Sequence, residues 1–261
     1  MSQIEKGAAF KALHEGEPFV IPNPWDAGSA KVLESLGFKA LATTSSGFAF
    51  TLGRPDGGAS LDQVIEHTRA LAAATELPVA VDLENGHGPT PANAAEAIAL
   101  AGTAGAVGGS IDDYDPGEDR IYDLEHAVER IAAAAKMAAA LPFDFTLTAR
   151  SENQLHGDRD LDDTIARLQA YGEAGADVVF APGLRSIDQV RAVCSSVSKP
   201  VNVLGHRGLD LAEVLEAGAQ RVSVGGALAW VSVAALTHAA EALRDGDLSV
   251  LAASAPKELL G

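Results

Sequence analysis

Residues 145–181 read FTLTARSENQLHGDRDLDDTIARLQAYGEAGADVVFA, and this stretch carries the fold. The apolar run Phe145–Ala149 has the length of a buried strand and ends on polar residues, Arg150-Ser-Glu152-Asn. Asp162–Ala174 then repeats apolar residues at helical spacing, and Gly175 follows where a helix C-cap is expected. Val178–Ala181 is apolar again. Strand, helix and strand in that order make a βαβ unit. The joint EAGAD (173–177) returns as EAGAQ (216–220), a second helix-to-strand passage of the same kind.

Working outward, the same alternation covers the chain. The remaining predicted strands are 19–22, 40–43, 79–82, 106–111, 201–204 and 222–224. Predicted helices are 27–36, 61–74, 92–101, 124–140, 187–193 and 211–217, with a last one over 227–244. Eight strands alternating with eight helices predict an α/β chain folded as one (β/α)8 TIM barrel over residues 1–261. A doubly wound open sheet shares the local pattern and is the second reading. Asp245–Gly261 is expected to form a short helix packed on a neighbouring subunit.

Composition narrows the function. Of 261 residues, 47% are hydrophobic and only 5% aromatic, so the core should be built from Ala, Val, Leu and Ile. The net charge of −17 argues against nucleic-acid or anionic-membrane partners, because phosphates would be repelled. A single cysteine, Cys194, excludes an intrachain disulfide and a multi-cysteine zinc site, and fits a reducing cytoplasm. The N-terminal stretch lacks the apolar run of a signal peptide, and no segment has the pattern of a membrane span. A cytoplasmic location is therefore expected.

In such a barrel the active site lies at the C-terminal ends of the strands. Polar residues gather there: Pro-Asn-Pro-Trp-Asp (22–26), Thr-Thr-Ser-Ser-Gly (43–47), Asp82-Leu-Glu84, Asp112-Asp113, Arg150-Ser-Glu152-Asn and, within the seventh strand, Asn202. Asp82, Glu84 and Asp112 come from adjacent strands. Crowded carboxylates repel, and a hard divalent cation, Mg²⁺ or alternatively Mn²⁺, would relieve that repulsion. Residues 82 and 84 are expected on one face of a strand. Arg150 can grip a carboxylate through two parallel hydrogen bonds, or instead pair with those carboxylates. The hydroxyls and amides of 43–47 can bind an anion or cap a helix. Tyr114, Asp113, Glu152 and His87 are candidate acids or bases, while Cys194 reads as a small buried hydrophobe.

Together, PNPWDAGSA (22–30), TTSSGFAFTLGRPDG (43–57), VDLENGHG (81–88), GGSIDD (108–113), TARSEN (148–153) and RVSVGGAL (221–228) resemble the isocitrate lyase / phosphoenolpyruvate mutase family over nearly the whole chain. The resemblance implies a Mg²⁺-binding barrel that cleaves or rearranges α-keto or α-hydroxy acids through an enolate. It implies Asp82 as direct metal ligand, with Glu84 and Asp112 holding metal-bound waters. It implies catalytic roles for Asp56 and Arg150, to which the reading adds Tyr114. Substrate contacts are expected from Thr44, Ser45, Ser46, Gly47, Phe48, Arg150 and Asn202. It further implies a homo-oligomer, dimer or tetramer, that exchanges its last helix between subunits.

The departures also carry information. The lyase motif Lys-Lys/Arg-Cys-Gly-His and the mutase loop Pro-Lys-x-Asn are both missing from YDPGEDRIYDLEHAVERI (114–131). Asp112 stands where glutamate is usual, and Glu84 where aspartate is more common. The expected chemistry is therefore a Mg²⁺-dependent carbon–carbon lyase acting on a small carboxylate such as oxaloacetate. The alternatives are a phosphonate mutase or hydrolase, and a keto-acid-binding protein without turnover.

Overall fold

The computed structural model describes residues 1–252. Ten strands occur in chain order: β1 (Phe19–Ile21), β2 (Leu41–Ala42), β3 (Val79–Asp82), β4 (Gly108–Asp112), β5 (Tyr114–Asp115), β6 (Arg120–Ile121), β7 (Thr146–Arg150), β8 (Val178–Phe180), β9 (Val201–Leu204) and β10 (Arg221–Ser223). Eight of them form one parallel sheet in the order β1-β10-β9-β8-β7-β4-β3-β2. Its two ends meet: Ala42 N–H donates to Pro22 O at 3.1 Å. Asn23 reinforces this seam. Its Nδ2 donates to Ala42 O and Thr43 O, and its Oδ1 accepts from Val224 N and Gly225 N. The sheet is thus a barrel, and the open-sheet reading is set aside. β5 and β6 form a separate antiparallel ribbon beyond β4.

The helices are α1 (Gln3–Leu13), α2 (Ala27–Ser35), α3 (Ser45–Thr51), α4 (Leu61–Ala74), α5 (Pro91–Thr103), α6 (Leu124–Ala139), α7 (Leu161–Glu173), α8 (Ile187–Ser196), α9 (Leu211–Glu216) and α10 (Ala227–Arg244). Side chains that favour caps start them where the chain leaves the barrel mouth. Asp26, Ser60, Thr90, Asp160, Ser186 and Asp210 each accept a hydrogen bond from a backbone N–H two or three residues on. Strand alternation then sorts the side chains. On β7, Leu147 and Ala149 join the apolar layer against the helices, while Thr148 and Arg150 face the cavity inside the barrel.

The N-terminal end of the barrel is closed by α1, a helix the sequence reading did not predict. A reciprocal capping box between Ser2 and Glu5 starts it. Phe10 packs in a cluster with Phe19, Ile21, Ala40, Ala80 and Val107, and His14 meets Phe10 and Phe19 edge-on. Gly108 makes room for this floor: a Cβ there would lie 2.6 Å from the Phe10 ring. At the other end of the chain, α10 buries only Ala229, leaving Trp230, Val231 and Leu236 exposed. A 3-10 turn, Ser249–Ala252, follows it. Residues 253–261, part of the segment expected to form a terminal helix, lie outside the described residues.

Candidate active site

The barrel mouth holds a cavity of two adjoining lobes that share the lining residues Ser45, Asp56 and Arg150. The deep lobe, about 220 Å³, runs down the barrel past Asp82, Thr148, Asn202 and Arg221. The outer lobe is lined by Glu84, Asp112, Tyr114, Glu152 and His156.

Arg150 stands between the lobes. Its Nη1 is 3.3 Å from Asp82 Oδ1, and its Nε donates to Glu152 Oε1. Burial alone would weaken the guanidinium's hold on its proton. The carboxylates of Glu152, Asp82 and Asp112 outweigh that and raise its pKa above the ordinary arginine value. Its planar fork is therefore charged and held in one orientation. The salt bridge considered for Arg150 from sequence does form, and it orients the same group toward the cavity.

Asp82 ends β3. Its carboxylate receives the Ser110 hydroxyl and the Glu84 N–H, each at 3.3 Å. Glu84 reaches the site differently from the expectation. It does not continue the strand on the face of Asp82, because β3 stops at Asp82 and Glu84 sits in a turn with φ 51°. Its carbonyl accepts from Asp112 N at 2.8 Å, which sets the Glu84 turn beside the end of β4. Burial, then Asp82, then Asp56 push the Glu84 carboxyl up to about 7. Asp112 is buried at the end of β4, and burial followed by the charge of Glu152 raises its pKa well above the ordinary value.

The other expected residues divide. Thr44, Ser45 and Ser46 line the cavity, but Gly47 and Phe48 lie behind it. Thr44 caps α3, its hydroxyl accepting from Gly47 N at 3.3 Å. Phe48 stacks on His67 with ring centroids 3.9 Å apart. Asp56 borders both lobes. Tyr114 borders the outer lobe, donates to Asp119 at 2.6 Å and stacks on His156 at 4.0 Å. Asn202 lies deep in the barrel, bonded to Ser223 Oγ and Arg221 Nε.

Among the candidate acids and bases, Asp113 turns away from the cavity. It accepts from Tyr171 Oη, Arg167 Nη1 and Glu152 N, which makes it a buried support for the site. His87 lines neither lobe, and its buried Nε2 meets no hydrogen-bond partner among the described residues. The Cys194 thiol is pushed up to about 11 by burial, so it is a poor nucleophile.

Sequence reasoning did not single out His156 or Arg221 for the site. His156 lies four residues after Glu152, with Nε2 3.8 Å from Oε2. Arg221 stands one residue before the predicted last strand, yet it opens β10 and faces inward with Ser223. Arg130, wholly buried on α6, is a third. It donates to the carbonyls of Asp112, Asn85 and Gly88 and lies over the Tyr122 ring, tying the Glu84 turn to the end of β4.

The donor set suits a hard divalent cation. Five carboxylates (Asp56, Asp82, Glu84, Asp112 and Glu152) border the mouth, and among the described residues Arg150 is the one guanidinium lining the outer lobe. Burial first, and the neighbouring carboxylates second, raise the pKa values of Glu84 and Asp112. Among the described residues, no three His, Cys, Asp or Glu side chains converge to cage an ion directly. The carboxylate oxygens at the mouth are the donors that hard cations take, and Mg²⁺ needs only one or two of them directly while keeping several waters.

The family model described as phosphoenolpyruvate phosphomutase matches residues 10–244. The chain belongs to the isocitrate lyase / phosphoenolpyruvate mutase family. An oxaloacetate decarboxylase of Rhodopseudomonas palustris (strain HaA2) is 30% identical over all of this chain and 90% of its own length. A solved structure from Burkholderia cenocepacia J2315, provisionally described as a lyase/mutase, is 51% identical with a TM-score of 0.95, covering 99% of this chain and 95% of that one. The structure of 2,3-dimethylmalate lyase, a member of the same superfamily, is 27% identical with a TM-score of 0.85, covering 97% and 93%.

Proposed function

We propose that this protein is a Mg²⁺-dependent carbon–carbon lyase acting on a small α-keto acid, with oxaloacetate decarboxylation as the leading activity. The observation that carries the reading is the placement of Arg150 between Asp82, Glu152 and the outer lobe, at the centre of a carboxylate-rich mouth. Asp82 is the direct metal ligand in this reading, with Glu84 and Asp112 orienting metal-bound waters. Mn²⁺ would serve in the same donor set. A cation held by these residues would supply positive charge against the negative charge that develops on the keto oxygen.

The protein's own groups do the rest. Arg150, with Nε and one Nη already engaged, presents its remaining N–H groups to the substrate carboxylate and fixes its orientation. Ser45 and Ser46 offer donors on the opposite wall. Asp56 borders both lobes, beside Glu84, and is placed to act near the metal in this reading. Decarboxylation asks for no base, because breaking the C–C bond leaves its electrons on the keto acid as an enolate and releases CO₂. Tyr114, on the ribbon that replaces the family's acid–base loop, is the candidate donor of the proton that ends the cycle. A phosphonate substrate would ask for a basic loop here, whereas the ribbon brings Asp115 and Asp119.

The whole chain is read as one barrel domain, in the cytoplasm. No helix among the described residues is long and apolar enough to cross a membrane. The exposed Trp230, Val231 and Leu236 of α10 support homo-oligomerisation through that helix. The test is pyruvate release from oxaloacetate with Mg²⁺, comparing wild type with Asp82→Ala above the metal-only background. Release that needs both Mg²⁺ and Asp82 is expected. Release no faster than background would overturn oxaloacetate decarboxylation.

A further inference from the structure

TIM-barrel interiors are normally packed with branched apolar side chains in layers. The deep lobe interrupts that packing. Ala42, Ala80 and Gly109 give it little side-chain volume, and Arg221 puts a full positive charge at its lower end. Arg221 is 6% exposed and opens β10. Among the described residues, no carboxylate lies within salt-bridge distance of it. Burial makes the charge costly to keep and lowers its pKa to about 9. A buried charge without an opposite partner is seldom retained for packing alone.

The hydrogen bonds around it run one way, outward from the guanidinium. Nε donates to Asn202 Oδ1 at 2.8 Å, Nη2 donates to Thr148 Oγ1 at 3.1 Å, and Nη1 lies 3.1 Å from His14 Nε2. Asn202, its amide oxygen fixed by that bond, donates from Nδ2 to Ser223 Oγ at 2.9 Å. The Thr148 and Ser223 oxygens are thus used as acceptors, and their own hydroxyl hydrogens are left over. Among the described residues, neither hydroxyl donates a hydrogen bond. A guanidinium carries five N–H groups, so three bonds leave two of those unspent as well. Guanidinium N–H groups and two hydroxyls therefore border one small space without an acceptor for any of them.

Water could take those hydrogen bonds, but it would leave the charge uncompensated. A small anion answers both needs. One cation calls for one negative charge, so a monovalent ion matches it, while a divalent one would leave a net charge buried. The place is also separate from the mouth. Thr148, which Arg221 touches, is two residues before Arg150 on the same face of β7, a rise of about 6.6 Å. Asp82, the carboxylate of this lobe, is engaged by Arg150 and Ser110. Arg150 already has its carboxylates, and Arg221 has none.

We propose that the floor of the deep lobe is a binding site for a small monovalent inorganic anion, of the size of chloride, held by the Arg221 guanidinium and the Thr148 and Ser223 hydroxyls. The ion is a structural ligand of the barrel interior. It takes no part in the reaction at the mouth, and the site stands whatever substrate the mouth receives. It stabilises the folded chain, because the unfolded chain has no such enclosure.

The experiment compares thermal unfolding of the full chain, with Mg²⁺ present, in sodium chloride and in the sodium salt of 2-morpholinoethanesulfonate at equal ionic strength. The sulfonate is too bulky for the lobe, so it reports screening alone. For a site that binds chloride at about 10 mM, about 200 mM chloride should raise the Tm of wild type by about 4 °C or more over the sulfonate. Arg221→Met, which removes the charge, should show no such excess, and Arg221→Lys should keep part of it. A second measurement decides if Arg221→Met does not fold. Crystals of wild type soaked in bromide should give an anomalous peak in contact with the Arg221 guanidinium. No chloride excess in wild type, an equal excess in Arg221→Met, or bromide found at Arg150 and absent from Arg221 would each overturn the site.

Discussion

Replacing His14 by glutamine should remove a defined part of the fold's sensitivity to acid. The His14 ring sits in the barrel floor with Nδ1 2.8 Å from Phe10 O and Nε2 3.1 Å from Arg221 Nη1. One neutral tautomer satisfies both contacts, donating from Nδ1 to the carbonyl and accepting at Nε2 from the guanidinium. Protonating Nε2 would cancel the acceptor and set two cations together in a buried place. Burial first, and the Arg221 charge second, lower the imidazole from 6.5 to about 3. The unfolded chain takes up its proton near the ordinary histidine pKa of about 6.5. The stability contributed by the neutral ring is thus complete above that pH and is lost as pH falls toward 3. At about 1.4 kcal/mol per pH unit, roughly 2 kcal/mol is gone by about pH 5. Glutamine can make both contacts without titrating. Urea unfolding of wild type and His14→Gln should be compared near neutral pH and at about pH 5. The loss of unfolding free energy between the two should be roughly 2 kcal/mol smaller in the variant. Carboxylate titrations common to both proteins cancel in that difference. Equal losses in the two proteins would refute the neutral, arginine-bound assignment of His14.

Two further substitutions test the frame that holds the site. Asn23→Ala deletes four hydrogen bonds across the β1–β2 and β1–β10 seams. It should cost about 3 kcal/mol in urea unfolding, and a cost near zero would mean that the barrel closes without this side chain. Gly47→Ala places a Cβ 2.7 Å from Thr44 Cγ2 and 2.9 Å from Trp25 Cβ. The strain should lower stability by about 1–3 kcal/mol, read as a fall in Tm, and an unchanged Tm would show that α3 shifts freely.

How far the sequence revealed this molecule depended on the physical signal each part carried. The eight barrel strands were legible because short apolar runs alternated with helical periodicity, and all eight form. Helix α1 was missed because it covers the barrel floor with little more than Phe10 and His14, a face too sparse to show as a periodic stripe. Helix α3 hides in a stretch whose hydroxyls read equally as an anion loop or a cap, and Thr44 turns out to cap it. Within the site, Asp82, Asp112 and Arg150 could be placed from strand ends alone. Glu84 could not, since its left-handed backbone breaks the strand alternation used to place it. Arg221 was overlooked because charge at the start of a strand normally reads as a solvent-facing end, and only the closed barrel turns it inward. Asp113 follows Asp112 directly, and the period of two along a strand sends it to the opposite side, against Tyr171 and Arg167. Contacts between residues distant in sequence, such as Arg130 with the Asn85–Gly88 turn, left no mark in any local pattern.

The central claim is that the carboxylates at the barrel mouth hold a divalent cation through Asp82. Electron paramagnetic resonance of free Mn²⁺, titrated with wild type and with Asp82→Asn, tests it without relying on any substrate. Wild type should deplete the free-ion signal with saturation at one Mn²⁺ per chain, added Mg²⁺ should release it, and Asp82→Asn should leave the signal undiminished. Equal depletion by the two proteins, or none by wild type, would contradict the account.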